Sequence, residues 1–195
     1  MDDQRLAAAL AAIDAANGAD PNRITIRGVE QPKELGHATL VTEWVQRLTS
    51  EPSEALLLAA RAHHLRRWTI PRASYPLGRS GYLRWRKDLH EQHARDAAEI
   101  LAGVGYDAEL IARVQDLVRK RRLGKDPEVQ VLEDALCLVF VETQLLDLAA
   151  RVDDEKMVDV VAKTLRKMSL AAIELALDID LTTEARALLT RAASL

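Results

Sequence analysis

Apolar residues recur at every third or fourth position along most of the chain, which is the spacing of amphipathic α-helices. Residues that favour helix starts support this interpretation, because Pro32, Ser53, Asp107 and Asp126 each stand before such a run. The predicted helices cover residues 6–16, 32–48, 53–68, 81–102, 107–118, 126–148, 155–176 and 183–193. The pattern therefore predicts an all-α fold, a single bundle of about seven or eight helices.

Two stretches depart from the helical period. The sequence RITIRGV, residues 23–29, alternates as a β-strand does, but no second run of similar character follows it. It is therefore predicted to be a lone extended segment. Residues 69–80 contain two prolines and Gly78, which predict a long loop rich in arginine and aromatic residues.

Composition narrows the class of protein. The 195 residues are 48% hydrophobic and 29% charged, as in an ordinary soluble globular protein. The single cysteine, Cys137, excludes an intrachain disulfide and predicts a reducing compartment. The start MDDQRL lacks the features of a signal peptide, and no apolar run reaches the length of a membrane span. We therefore expect a cytoplasmic protein with no membrane partner, either a monomer or a homodimer.

One stretch, residues 61–95, concentrates the residues with chemical function, and we call it the basic segment. It holds four of the five histidines and four of the seven aromatic residues. Nine basic and two acidic residues give it a net charge of +7, against −10 for the remainder of a chain whose net charge is −3. Such a local charge attracts an anionic ligand, whereas the acidic remainder argues against indiscriminate binding of nucleic acid.

Four predicted helices each place a possible metal ligand near an apolar face: His37, His64, His93 (or its neighbour His90) and Asp134. Asp134 is followed by an apolar run, and a buried carboxylate requires a partner such as a metal, an arginine or a capped backbone. Imidazole and carboxylate groups together suit zinc, manganese, iron or nickel.

The sequence thus predicts a divalent transition metal held by His37, His64, His93 and Asp134. The alternative is that these side chains are hydrogen-bonded core residues. Whether His63 and His90 are ligands stays open.

The basic segment also predicts an anion site, because guanidinium groups bind phosphate bidentately and aromatic rings stack on bases. The candidate substrate-binding residues are Arg67, Trp68, Arg72, Tyr75, Arg79, Tyr82, Trp85 and Arg86. The same chemistry would serve a nucleotide, another phosphorylated small molecule or a nucleic-acid strand, and a solvated charged surface is the alternative. The basic cluster 119–122 is interpreted as a helix end that favours cations.

The order of the histidines and carboxylates resembles that in the HD-domain superfamily of metal-dependent phosphohydrolases. The matching features are His37, the His63-His64 doublet after AARA, a histidine (His90 or His93) before ARDAAEILAGVGYD, and Asp134 within LEDALCL. This chain has His64 where the superfamily has the aspartate of its histidine-aspartate pair. The resemblance implies an HD-like bundle with its core in residues 31–150, an N-terminal helix and extended segment in 1–30, and C-terminal helices in 151–195.

A closer resemblance is to a family called domain of unknown function 4202. It rests on HLRRWTIPR at 64–72, YP at 75–76, RSGYLRWR at 79–86, HA at 93–94, LEDALCLVF at 132–140 and KMS at 167–169. The match implies functional roles for His64, His93, Glu133 and Asp134. Some members carry a glutamyl-tRNA synthetase-like label, which we discount, because such an enzyme needs a parallel nucleotide-binding sheet.

Three functions follow as hypotheses. The first is a metal-dependent hydrolase of a phosphorylated small molecule or nucleotide, in which metal-activated water is the nucleophile and His93 or Glu133 moves protons. The second keeps the ligands but is an HD-like di-iron oxygenase. The third is a non-catalytic helical module that binds RNA or a nucleotide.

Overall fold

The computed structural model describes residues 3–194, so the predicted domain of residues 1–195 includes Met1, Asp2 and Leu195 outside the described range. The described residues form ten α-helices, one two-stranded sheet and two short 3₁₀ turns. The helices are α1 (Asp3–Gly18), α2 (Lys33–Leu48), α3 (Glu54–Ala62), α4 (Arg79–Gly103), α5 (Ala108–Val118), α6 (Pro127–Thr143), α7 (Leu145–Ala149), α8 (Asp154–Leu165), α9 (Leu170–Asp178) and α10 (Thr183–Ala193). The strands are β1 (Arg23–Ile26) and β2 (Val29–Pro32). The mostly all-α class is therefore confirmed.

Side-chain caps begin several helices where the sequence predicts them. The Ser53 hydroxyl accepts a hydrogen bond from the Leu56 N–H at 3.1 Å, and Asp107 accepts one from the Leu110 N–H at 2.8 Å. Asp126 likewise accepts from the N–H groups of the first turn of α6. Each cap satisfies a donor that the helix itself leaves unpaired, which contributes about 1 kcal/mol.

The core lies where α2 packs between α3 and α6, while α5 packs against α3 and α4. Fully buried residues from these helices include Val41, Leu58, Leu117 and Leu138. Burying one such side chain contributes about 1.5–3 kcal/mol, so this contact surface fixes the helices relative to one another. The packing brings the first turn of α2 beside the residues that follow α3, which is where the candidate site lies.

The extended segment is not alone, and that prediction is wrong. Strand β1 pairs with β2 as an antiparallel hairpin, with Ile26 opposite Val29. The two turn residues, Arg27 and Gly28, both have positive φ (50° and 80°), as a tight two-residue hairpin turn requires. The second strand, VEQP, has Val29 as its single β-branched residue, followed by two polar residues and a proline, so no hydrophobic alternation predicts it.

Helices in the C-terminal half are shorter than predicted. The predicted helix 126–148 is divided at Gln144 into α6 and α7, and the predicted helix 155–176 is divided between Leu165 and Leu170 into α8 and α9. These divisions explain why ten helices are found in the described chain instead of seven or eight. Between residues 3 and 194, no helix combines the length and the apolar character that crossing a bilayer requires.

Candidate functional site

Three side chains from two parts of the chain meet at the start of α2. Glu34 and His37 lie one turn apart on α2, and His64 follows the end of α3. The Oε2 atom of Glu34 lies 3.1 Å from Nδ1 of His64 and 3.5 Å from Nδ1 of His37. One ligand atom from each residue lies within 4.8 Å of the other two, so the group could hold a metal ion. We call these three residues the Glu34 cluster.

The local sequence explains why Glu34 is held in this place. Pro32 precedes α2 and offers no side-chain acceptor to the first turn of the helix. The buried carboxylate of Asp20 takes that role, since its Oδ2 accepts a hydrogen bond from the Glu34 N–H at 3.0 Å. Its Oδ1 meanwhile accepts one from the Asn22 N–H at 2.9 Å. The backbone of Glu34 is thus anchored from outside the helix.

Two further histidines present a nitrogen lone pair near the cluster. Nδ1 of His63 lies 2.8 Å from the Ala60 carbonyl oxygen, and Nδ1 of His93 lies 2.8 Å from that of Leu65. A carbonyl only accepts hydrogen bonds, so Nδ1 carries the proton in both rings and Nε2 is left with its lone pair.

The ring of His64 links these histidines. Its centroid is 4.1 Å from that of His63 and 5.8 Å from that of His93. Nε2 of His93 and Nε2 of His37 are both buried and have no hydrogen-bond partner among residues 3–194. A buried nitrogen without a partner is costly, so these atoms are suited to receive a ligand.

Burial keeps the histidines neutral. It lowers the pKa of His63 to about 3 and that of His93 to about 4, although the backbone carbonyls that they contact act in the opposite direction. Burial also lowers the pKa of His64 well below its usual range, and that of His90 to about 4. Neutral imidazole is the form that binds metals.

Glu34 is anionic. Burial, the largest single influence, would raise the pKa of its carboxyl group, but the hydrogen bond from His37 and the charge of Arg67 outweigh burial and lower it. The cluster therefore offers at least one anionic ligand, Glu34, and one neutral ligand, His64, at neutral pH.

A cavity of about 160 Å³ lies beside the cluster, and His64 belongs to both. Its lining contains three cationic side chains, Arg67, Arg86 and Lys120, and no carboxylate among the described residues. The other lining residues are His63, Tyr82, Leu89, His90, Val118, Leu132 and Leu136. This composition suits an anion.

The predicted substrate-binding residues divide into two groups. Arg67, Tyr82 and Arg86 line the cavity. The others lie outside its lining, and three of them order the loop that the sequence predicts.

Arg72 donates to the carbonyl oxygens of Tyr75 and Pro76 at 3.0 and 2.9 Å, and the Tyr75 hydroxyl donates to Asp88 at 2.7 Å. Nε1 of Trp85 donates to the Ile70 carbonyl oxygen at 2.8 Å. Trp68 is half-buried and Arg79 is exposed.

The two predicted carboxylates of α6 lie apart from the Glu34 cluster. Oδ1 of Asp134 accepts hydrogen bonds from Nε2 of Gln130 and from the Ser169 N–H, each at 2.9 Å. Glu133 forms ion pairs with Lys120 and, at 3.8 Å, with Lys167. Of the predicted ligands, the structure brings together His37 and His64, with His93 near His64.

Two residues of the site are absent from the sequence-based prediction. Glu34 stands three positions before His37 on a helix, and this spacing was the available signal. Lys120 belongs to the basic residues 119–122, whose charges are accounted for by the preference of helix C-termini for cations. Nothing in the sequence therefore points to Lys120 as a residue of the site.

The comparisons with known proteins give one match. The family model described as domain of unknown function (DUF4202) matches residues 7–189. No match is found among curated proteins or among solved structures. Because the matched range includes nearly all of the chain and every residue of the site described above, the chain belongs to the DUF4202 family.

Proposed function

We propose that this protein is a metal-dependent hydrolase acting on a phosphorylated small molecule or nucleotide. The observation that carries the proposal is that His64, a member of the Glu34 cluster, also lines a cavity with three cationic side chains. Metal ligands and an anion pocket that share one residue, His64, are the two parts that a phosphohydrolase needs.

The cluster fits a metal by distance and by chemistry. Two ligands of a tetrahedral zinc, each about 2.0–2.1 Å from the metal, lie roughly 3.4 Å apart. The distances of 3.1 and 3.5 Å from Glu34 to the two histidines are close to that value. Glu34, His37 and His64 would hold the ion, and Nε2 of His93, which has no partner among the described residues, further favours a ligand beside His64.

A bound divalent metal would supply a Lewis acid that polarises a phosphoryl oxygen and lowers the pKa of water. The chain's own residues would do the rest. Arg67 and Arg86 would bind phosphoryl oxygens, since guanidinium groups match phosphate geometry. His93 would accept a proton at its free Nε2, whereas the carboxylate of Glu133 holds Lys120.

The proposal is tested by the metal content of the purified protein and of His64→Ala and Glu34→Gln variants, measured by plasma mass spectrometry. His90→Ala serves as the matched control, because His90 lines the cavity outside the cluster. We expect metal in the wild type and the control, loss of metal in the two cluster variants, and loss with it of turnover of p-nitrophenyl phosphate. Unchanged metal and turnover in His64→Ala would refute the proposal.

An iron-dependent oxygenase is the second candidate. Two histidines and one carboxylate with open positions form the ligand set of non-haem iron oxygenases as well as of zinc hydrolases. The same elemental analysis separates the two. Iron, together with oxygen consumption and no phosphatase turnover, would favour the oxygenase.

A further inference from the structure

We propose that the cavity binds the phosphoryl end of a phosphomonoester dianion, and that Lys120 and Arg86 distinguish it from monoanions. The inference rests on the proposed function, whose substrate class it narrows to monoesters of small molecules. Diesters and sulfate esters would be excluded.

The first support is the charge of the cavity wall. Three cations line it, and the carboxylates that neutralise two of them lie behind the lining. Nε of Arg67 lies 3.9 Å from Oε1 of Glu34, and Lys120 is paired with Glu133. Both carboxylates are 4% exposed, so they position the cations while the cations face the cavity.

The second support is that Arg86 forms no ion pair among the described residues. Its guanidinium lies 6.0 Å from the centroid of the Tyr82 ring. The histidines of the lining are neutral, so the three cations and the two carboxylates behind them leave the wall with a net positive charge. A positive wall attracts a ligand with two negative charges more strongly than a ligand with one.

The third support is the position of Lys120 at the end of α5. Its φ of 56° is the left-handed conformation that commonly closes a helix, and its N–H donates to the Leu117 carbonyl oxygen at 2.9 Å. This helix end and the ion pair with the buried Glu133 hold Lys120 at the cavity wall.

The fourth support is the size of the cavity. Its 160 Å³ correspond to roughly five water molecules at about 30 Å³ each, which is room for a phosphoryl group and few further atoms. A diester such as dimethyl phosphate carries one negative charge, so the positive wall would attract it less strongly than a monoester dianion. The rest of a monoester would extend past Tyr82, which is 43% exposed.

The test is calorimetric titration of the full-length protein with methyl phosphate, methyl sulfate and dimethyl phosphate at pH 7.5, before and after removal of metal by a chelator. Methyl sulfate matches methyl phosphate in size but has one negative charge, and dimethyl phosphate is a monoanion with two substituents. We expect methyl phosphate to bind at least about tenfold more tightly than either of the others, with or without metal.

Two variants and two matched controls assign the binding to residues. Lys120→Met and Arg86→Met should each weaken the binding of methyl phosphate at least about tenfold. Lys125→Met, in the same connection as Lys120, and Arg84→Met, on the same helix as Arg86, are exposed and outside the lining, so they should leave binding unchanged. If Lys120→Met fails to fold because Glu133 loses its partner, Arg86→Met decides.

Equal affinity for the three esters, or equal losses in the controls and the variants, would overturn the inference. Absence of methyl phosphate binding would also overturn it. If that protein kept its metal and hydrolysed a phosphodiester such as bis(p-nitrophenyl) phosphate, the proposed function would stand and only the substrate class would fall. If the protein held no metal and still bound methyl phosphate selectively, the inference about the ligand would stand and the proposed hydrolase would fall.

Discussion

The same substitution, glycine to alanine, is expected to have opposite effects at the two ends of α4. At Gly81 an added Cβ would lie 1.9 Å from the carbonyl oxygen of Pro76, which belongs to the loop before the helix. At Gly103, the last residue of α4, an added Cβ would meet no atom within 4 Å. Local helix propensity favours alanine at both positions. The difference in stability between the two variants therefore measures the effect of the contact between the loop and the helix.

The magnitudes follow from these distances. Carbon and oxygen atoms in ordinary contact are about 3.3–3.6 Å apart, so Gly81→Ala would displace Pro76 by roughly 1.5 Å. Overpacking of this kind costs about 1–3 kcal/mol, against a propensity gain of up to about 1 kcal/mol. Gly103→Ala should gain about 0.5–1 kcal/mol.

Thermal unfolding followed by circular dichroism measures both effects. One kcal/mol shifts Tm by about 2–4 °C in a domain of this size. We expect Gly103→Ala to raise Tm by about 2 °C and Gly81→Ala to lower it by several degrees. Trypsin cleavage at Arg72 and Arg79 should become faster in Gly81→Ala only, because the displaced Pro76 carbonyl is an acceptor for Arg72. A Tm for Gly81→Ala at or above that of the wild type would show that the loop does not constrain this end of α4.

Three other predictions concern the helices behind the site. Asp134→Ala should lower the free energy of unfolding by about 2–3 kcal/mol in urea titration, because the Ser169 N–H loses its charged acceptor. The metal content of this variant should not change. A variant of wild-type stability that has lost its metal would instead show that Asp134 is a ligand. The hydrogen bond from Arg113 lowers the pKa of Asp126 to about 2 from its ordinary 3.8. Because the pKa of Asp126 is lower in the folded than in the unfolded protein, its ionised carboxylate stabilises the fold at pH values above the unfolded pKa. We expect it to contribute about 2 kcal/mol to the free energy of unfolding above pH 4, and to lose this contribution as the pH falls to 2. Asp126→Asn should remove most of that slope in acid titrations, and an unchanged slope would contradict the assignment. Burial raises the pKa of the Cys137 thiol to about 12, so Ellman's reagent should modify it at pH 8 only after unfolding, and rapid modification of the native protein would disprove this.

Periodicity in the sequence is sufficient to predict the helices, because each buries one apolar face. It fails where the structure depends on an unusual backbone conformation or on a contact between residues far apart in the sequence. The hairpin turn at Arg27 and Gly28 depends on positive φ at both residues, and arginine gives no sign of it. The break between α8 and α9 occurs where the Ser169 N–H binds Asp134, a residue 35 positions earlier, and no local pattern encodes that contact.

The candidate site likewise has features that the sequence predicts and features that only the folded chain shows. The apolar face of a helix predicts the inward position of His37, where a polar group needs a partner, and the structure has it buried on α2. The sequence predicts His64 on a helix reaching residue 68, but α3 ends at Ala62 and His64 lies in the turn that follows. The burial of Asp134 is also predictable, but the identity of its partners is not. Glu34 lies at the start of a helix, where acidic residues are common for electrostatic reasons, and only the folded chain shows that it faces two histidines.

The hydrogen bond from Glu34 to Asp20 makes the site depend on sequence outside the predicted core of residues 31–150. A fragment limited to that range would inherit all three members of the Glu34 cluster but not the carboxylate that anchors its central residue. The ligands and their support are thus encoded in separate stretches. Grafting the cluster into another protein would require the segment around Asp20 as well, because Asp20 accepts the hydrogen bond that holds the backbone of Glu34 in place.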